Sequence, residues 1–480
     1  MHLSRFLFFF LLLSVLFSCE KEVALERPNI LFCIADDWGW PHAGVYGDSV
    51  VQTPTFDRLA QEGLLFDQAY VSSPSCTPSR SAILTGQHFW RLEQAANLWS
   101  TLDRKFPVYP LLLEEAGYAI GSWRKSWGPG DLSEGGYDTL RPAGPKYEGF
   151  GAFLAEKPAD QPFCFWLGAS DPHRPYKAGT GAASGINTAT LTVPGFYPDN
   201  ETIRNDIADY YYEVNRFDAD VGRAIAMLDS IGELENTIIV VTGDHGMPFP
   251  RCKANLYDWG TRVPLVLSWG VKIREPKRIR EFVSLIDLAP TFLELAGLSI
   301  PEEMSGTSLA PLVNGDNIAS NFVTMGRERH TPAQASPSMD GYPARAIRTE
   351  AFLYIRNFSP DRWPAGVQEG ATHPMNTFAD SDNGPTKTFL VDNRDNPAIR
   401  PYYDWCFGQR PSEELYAIAD DPYQLNNLAD QDSYQLVKEI LSARLDSALV
   451  ATRDPRMIGS LVLFDSYPYR GGYPLNLDGK

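Results

Sequence analysis

Cysteine, histidine and basic residues are all scarce in this chain. Its 480 residues include 6 Cys and 7 His, and 42 Lys and Arg stand against 60 Asp and Glu, for a net charge of −18. The cysteines show neither the spacing of a disulfide-stapled domain nor that of a zinc site. Cys33 and Cys164 sit in apolar runs and read as core, while Cys252 and Cys406 could pair or stay free. The acidic balance excludes general nucleic-acid binding, because a polyanion would be repelled. A small anionic substrate remains open, since it needs only a basic pocket within an acidic shell. There is no internal repeat. Beyond the N-terminal segment no apolar run is long enough to span a bilayer.

A hydrophobic content of 44% and an aromatic content of 12% fit a globular protein. Met1 to Ser18 carries Arg5 and then the apolar run Phe6 to Leu13, which reads as an export signal over residues 1–18. Leu16-Phe17-Ser18-Cys19 resembles a bacterial lipobox, which implies cleavage before Cys19 and lipidation of that cysteine. Glu20-Lys21-Glu22 then reads as a polar tether. The expectation is an exported bacterial lipoprotein, periplasmic or at the outer membrane or cell surface, held to the membrane by its lipid. The remaining chain of roughly 460 residues exceeds one ordinary domain.

Strand-like and helix-like runs alternate, which predicts an α/β fold with a large, mostly parallel sheet flanked by helices. Asn29 to Ile34 reads as a buried strand ending at Asp36-Asp37, and Phe163 to Leu167 as one ending at Asp171-Pro172-His173. Ile238 to Val241 ends at Asp244-His245-Gly246, and a shorter strand near Tyr118 to Trp123 precedes Lys125. Ligands of open α/β sheets bind beyond the carboxyl ends of strands, so these polar residues are expected in one crevice. Asp36, Asp37 and Asp244 would form a hard-cation site of the calcium kind. Cys76 to Gly86 reads as a loop entering a helix, with Thr77 as cap, Pro78 in the first turn and Gly86 as stop. Residue 76 then lies at a helix N-terminus, which suits an anion, and Arg80 can reach back over it. The large domain is set at 27–334. A C-terminal subdomain over 335–480 is expected to hold a smaller antiparallel sheet, with strands in Arg345 to Asn357 and Leu415 to Ala419. Its helix, Ser433 to Ala448, carries Leu436, Ile440, Leu441 and Leu445 on one face. Ala365 to Arg400, rich in Pro, Asn and Asp, reads as a long loop near the substrate mouth.

Cys76-Thr77-Pro78-Ser79-Arg80, continued by Ser81-Ala82-Ile83-Leu84-Thr85-Gly86, resembles the Cys-X-Pro-X-Arg maturation motif of type I sulfatases. The resemblance covers nearly all of the chain after the leader, including Lys253 to Pro264, Ser284 to Thr291, Gly306 to Leu309 and Glu414 to Ala429. It implies an alkaline-phosphatase-like sulfatase fold. It also implies that a formylglycine-generating enzyme oxidises Cys76 to formylglycine, whose hydrate is the nucleophile. Asp36, Asp37, Asp244 and His245 would bind Ca²⁺ together with residue 76; His245 stands where many relatives have Asn. Arg80, Lys125, His173 and Lys253 would complete the catalytic set. Trp127 occupies the place of a histidine that relatives use as a base, and is expected to shape the substrate pocket. Arg174 and Arg345 are expected to contact substrate. Pro248-Phe249-Pro250, Asn255-Leu256-Tyr257 and Tyr342 to Arg348 look most like the heparan N-sulfoglucosamine sulfohydrolase branch. That branch includes polysaccharide O-sulfatases, so a sulfated glycan substrate is implied while S–N or S–O cleavage stays open. Two other readings stay open as well: a phosphodiesterase or phosphonate hydrolase of the same superfamily, and a non-catalytic glycan-binding lipoprotein.

Overall fold

The computed structural model describes residues 27–335, 338–368, 377–459 and 462–471. The export signal and Cys19 lie outside them. Seven strands form the main sheet in the order β3-β4-β1-β5-β6-β2-β7. These are β1 (Asn29–Ala35), β2 (Leu64–Tyr70), β3 (Ala119–Arg124), β4 (Phe163–Gly168), β5 (Thr237–Gly243), β6 (Leu265–Ser268) and β7 (Lys277–Ser284). β3, β4, β1 and β5 are mutually parallel. β6 alone runs against its neighbours β5 and β2, and β2 is parallel to β7.

β1 is central and buried along its whole length. That is why it reads as an unbroken apolar run and not as an alternation: both faces of a parallel sheet are covered. Ile30, Phe32 and Ile34 enter one core, shared with Ala82, Ile83 and Leu84 of the helix Cys76–Thr85. Leu31, Cys33 and Ala35 enter the opposite core, where Ile203, Val214 and Phe217 of the helix Glu201–Ser230 pack. Burial of each such side chain contributes roughly 1.5–3 kcal/mol. The sheet therefore fixes the strand ends from which the polar residues project. Among the described residues, no helix is long and apolar enough to cross a membrane.

The second sheet is antiparallel, in the order β11-β10-β9-β8. Its strands are β8 (Phe322–Arg327), β9 (Ala344–Thr349), β10 (Phe352–Asn357) and β11 (Glu413–Ala417). It thus begins at Phe322, ahead of the boundary expected near residue 334. The helix Gln435–Ala451 covers it, but on a different stripe from the one expected. Leu441, Leu445 and Leu449 are buried, whereas Leu436 and Ile440 are 68% and 57% exposed. A four-residue repeat is enough to cover so small a sheet, and the apolar pair one step around the helix is left in water. The segment expected to be a long loop contains the helix Pro385–Asp392 and leads into the helix Arg400–Phe407. Cys252 and Cys406 are both buried and free, with no disulfide between them.

Arg345 was expected at the substrate and is instead wholly inside the second sheet. Its Nε donates to Asp454 Oδ2 at 2.5 Å and its Nη2 to Glu328 Oε1 at 2.8 Å, with neither partner exposed. It ties β9 to the chain beyond the last helix. Arg345→Ala would leave the buried Asp454 carboxylate without its counter-charge, while Glu328 keeps Arg456, and should lower stability by about 3–5 kcal/mol. Urea unfolding reads this, and an unchanged midpoint would show that the pair carries no such weight.

Candidate active site

A cavity of about 510 Å³ opens at the carboxyl ends of β1, β3, β4 and β5. Cys76 forms part of its floor as the first residue of the helix Cys76–Thr85, every residue of which is buried. Ser75 is extended (φ −150°, ψ 136°) and its carbonyl accepts from Ser79 N at 2.9 Å, so the helix starts at Cys76, ahead of the start that a cap at Thr77 would give. Thr77 is not the cap. Its hydroxyl donates to Pro129 O at 2.5 Å and so ties the helix to the opposite lip of the cavity. Gly86 ends the helix in the left-handed region (φ 62°), as expected of a C-terminal glycine.

Arg80 is fully buried one turn in from Cys76. Its Nε donates to Asp244 Oδ2 at 2.8 Å, its Nη1 to Lys125 O at 2.5 Å and its Nη2 to Asp36 Oδ1 at 3.3 Å. The adjacent aspartates after β1 are separated by backbone geometry. Asp37 adopts φ 75°, a region few non-glycine residues enter but Asp tolerates. Asp36 faces Arg80 and Lys125, whose Nζ lies 2.5 and 2.7 Å from its two oxygens. Asp37 faces the other way. Its Oδ2 accepts from Lys253 Nζ at 2.9 Å, and its Oδ1 lies 3.2 Å from His245 Nε2 and 3.9 Å from Cys76 Sγ.

Asp37, Cys76, Asp244 and His245 present ligand atoms that all lie within 4.8 Å of one another, and all four residues are buried. His245 Nδ1 donates to Gly246 O at 3.0 Å, which aims Nε2 at Cys76 Sγ, 3.2 Å away, and at Asp37. With Nδ1 so engaged, Nε2 is left facing a set of acceptors, an arrangement that a cation between them resolves. Glycine comes next, at 246, because a Cβ there would collide with Trp259 O. Asp36 adjoins this group, with both its oxygens within reach of Lys125 Nζ. Among the described residues around the cavity, four carboxylates (Asp36, Asp37, Asp244, Asp382) form ion pairs with three fixed cations (Arg80, Lys125, Lys253). The residues present therefore fit a divalent metal by donor chemistry and by charge.

Burial would raise the Asp244 carboxyl, yet the His245 ring, Arg80 and Lys125 hold it below the ordinary carboxylate range. Burial works against the Lys253 charge, but Asp37 and Asp382 keep that ammonium well above its usual value. The Cys76 thiol is pushed up by burial more than Lys125 and Lys253 pull it down. As a thiol, residue 76 is protonated and a poor nucleophile at neutral pH.

His173 reaches the cavity with 35% of its side chain exposed, its Nδ1 donating to Arg174 O and its Nε2 lying 3.8 Å from Asp37 Oδ2. Trp127 lines the wall, with its indole N–H donating to Ser81 Oγ at 2.8 Å. Arg174 is not on the wall: its Nη atoms both donate to Asp206 at 2.8 Å and its Nε to Pro248 O at 2.8 Å. The expectation that it contacts substrate is corrected by that closed ion pair. Sequence reading missed Asp382, 3.1 Å from Lys253, and the wall residues Trp99 and Tyr469. Only long-range contact marks them, since none lies in a periodic segment or a motif. His330 also lines the cavity, its Nδ1 2.8 Å from Ser75 Oγ. Burial and then the Lys253 charge push its ring well below the ordinary value, so it sits neutral.

Titration with a divalent cation should reveal one tight site, and Asp37→Ala should abolish it. Calorimetry and metal content after dialysis would both report this; full binding by Asp37→Ala would place the metal elsewhere.

The sulfatase family profile matches residues 28–145 and 145–298, and that of the N-sulphoglucosamine sulphohydrolase C-terminal region matches 243–359. An ulvan-active sulfatase of Formosa agariphila is 28% identical over 91% of this chain and 82% of its own length. The N-sulphoglucosamine sulphohydrolase of Homo sapiens is 29% identical over 92% of this chain and 93% of its own. Among solved structures, one in complex with its substrate D-glucosamine-2-N,6-O-disulfate superposes with a TM-score of 0.63 at 19% identity, covering 89% of this chain and 98% of that one. A phosphonate monoester hydrolase of Agrobacterium radiobacter gives 0.65 at 16% identity, over 89% and 96% of the two chains. The motif around Cys76, the acidic strand ends and these matches agree, and the chain belongs to the sulfatase family.

Proposed function

We propose that this protein hydrolyses sulfate from the sugars of sulfated oligo- or polysaccharides, using a formylglycine made from Cys76 and a calcium ion. The placement of Cys76 carries the reading. It lies at the start of a buried helix, against His245 and Asp37, in a cavity shared with Lys125, His173 and Lys253. The ulvan-active and N-sulphoglucosamine relatives support a sulfated glycan as substrate. Their difference leaves an ester or an N-sulfate as the bond cleaved, so N-sulfamidase activity belongs to the same proposal. Maturation by a formylglycine-generating enzyme, export, and membrane attachment through lipidated Cys19 complete it.

Asp36, Asp37, Asp244 and His245, with residue 76, would hold the metal. A hydrated aldehyde at residue 76 would supply the attacking hydroxyl, and the cation would offset charge on it and on sulfate. The other steps fall to the chain's own side chains. Arg80 locks Asp244 and Asp36 in place from inside the helix. Lys125 and Lys253 present ammonium groups to the sulfate oxygens, where preorganised charge in a dry site is most effective. His173 is placed as the donor to the leaving group: with Nδ1 fixed on Arg174 O, its Nε2 faces the cavity. Trp127 cannot take a proton, and its pinned ring instead walls the site.

Coexpression with a formylglycine-generating enzyme should lower the mass of the Cys76 peptide by about 18 Da, the thiol-to-aldehyde change, and Cys76→Ala should release no sulfate. An unmodified yet fully active protein would sink the mechanism. His173→Ala should cut kcat by about 10²–10⁴-fold with a smaller change in KM. An equal loss carried by KM alone would move the proton transfer to another group.

A further inference from the structure

We infer that the cavity accepts a sugar carrying one sulfate and no second anion beside it, and that Asp382 selects it by accepting a hydrogen bond from a hydroxyl or amino group of that sugar. This deepens the sulfatase reading above and rests on it.

Few positive charges face the cavity. Among the described lining residues the only fixed cations are Lys125 and Lys253, and no arginine is present. Both lysines already touch carboxylates, Lys125 on Asp36 and Lys253 between Asp37 and Asp382. These two and His173 can receive one sulfate. A second sulfate or a carboxylate on the same sugar would find no cation of its own. It would instead meet Asp382, and like charges in a partly dry site disfavour binding.

Asp382 keeps one carboxylate oxygen for the cavity. Its Oδ2 is buried against Lys253 Nζ at 3.1 Å, while its side chain, on the cavity wall, is 25% exposed. A carboxylate accepts through both oxygens, so the one turned from Lys253 is placed to take a donor from a ligand. Hydroxyl and amino groups of a sugar are such donors.

The position of Asp382 is also fixed. Lys387 is buried, and its Nζ donates to Phe378 O at 3.0 Å, Ser381 O at 2.7 Å and Asn383 Oδ1 at 3.0 Å. Two residues before Asp382, Asp380 accepts from Arg327 Nη2 at 2.8 Å and from Thr331 N at 2.7 Å. A carboxylate on a turn clamped at both sides can discriminate, where a mobile one would swing aside. Trp99, Trp127 and Tyr469 supply the remaining wall as uncharged faces on which a sugar ring can lie.

The test uses the mature, calcium-loaded full chain and a panel of sugar sulfates in matched pairs. Each pair joins a singly sulfated hexose, deoxyhexose or hexosamine to the same sugar bearing a second sulfate or a C5 carboxylate. Sulfate release gives kcat and KM for each. Singly charged members should be preferred by about 100-fold in kcat/KM, because like charges facing each other in a binding site are strongly disfavoured. Asp382→Asn, which keeps the shape, should narrow that preference to about tenfold or less, chiefly through KM. Release from no member of the panel overturns the sulfatase reading itself. Release with no preference, or with preference for the doubly charged members, overturns the selection alone. If Asp382→Asn slows both members equally and the ratio stands, Asp382 serves only to hold Lys253, and its assignment fails. The wild-type ratio decides the selection even if the variant melts early.

Discussion

Four carboxylates crowd the carboxyl ends of β1 and β5 and the turn facing them, and their mutual repulsion organises this end of the molecule. Buried charges persist only when paired and hydrogen-bonded. Arg80 answers that requirement from within a helix, between Asp36 and Asp244. Lys125 and Lys253 answer it from opposite sides. Asp37 contributes by its backbone: in the left-handed region its carboxylate leaves that of Asp36 and joins a separate cluster. The pairings divide one acidic knot into a cationic patch that can receive an anion and a ligand group that can receive a metal.

Much of this was legible in the sequence, for a physical reason. Strands buried on both faces must be continuous apolar runs, so β1, β4 and β5 announce themselves. The polar residues directly after such runs must then lie at strand ends. The helix starting at Cys76 was equally legible from Pro78 and Gly86. The failures were of local chemistry whose partner is distant. Thr77 reads as a cap, but Pro129 claims its hydroxyl. Arg174 and Arg345 read as substrate contacts because arginine suits sulfate, but Asp206, Glu328 and Asp454 claim them first. No spacing rule tells an arginine facing a cavity from one facing a buried carboxylate. Asp382 was invisible for the same reason in reverse: its surroundings are assembled from Lys253, Lys387 and Thr331, far apart in the chain.

The charged floor of the cavity and its wall are drawn from different parts of the chain. Cys76, Lys125, His173 and Lys253 hang from the main sheet and its helices, where two cores hold them. Thr331, Ala379, Asp382 and Tyr469 all come from the chain after β8, and Trp99 is joined to that part by Arg470 N donating to its carbonyl at 2.7 Å.

This split separates two kinds of heredity within one cavity. Segments after β8 could differ between relatives and so reshape the opening, while Arg80 and the paired aspartates hold the floor. The cost is that the large sheet does not close the cavity by itself. Severed from the chain beyond β8, it would keep Cys76, Lys125, His173 and Lys253 with one side of their cavity missing, open to water.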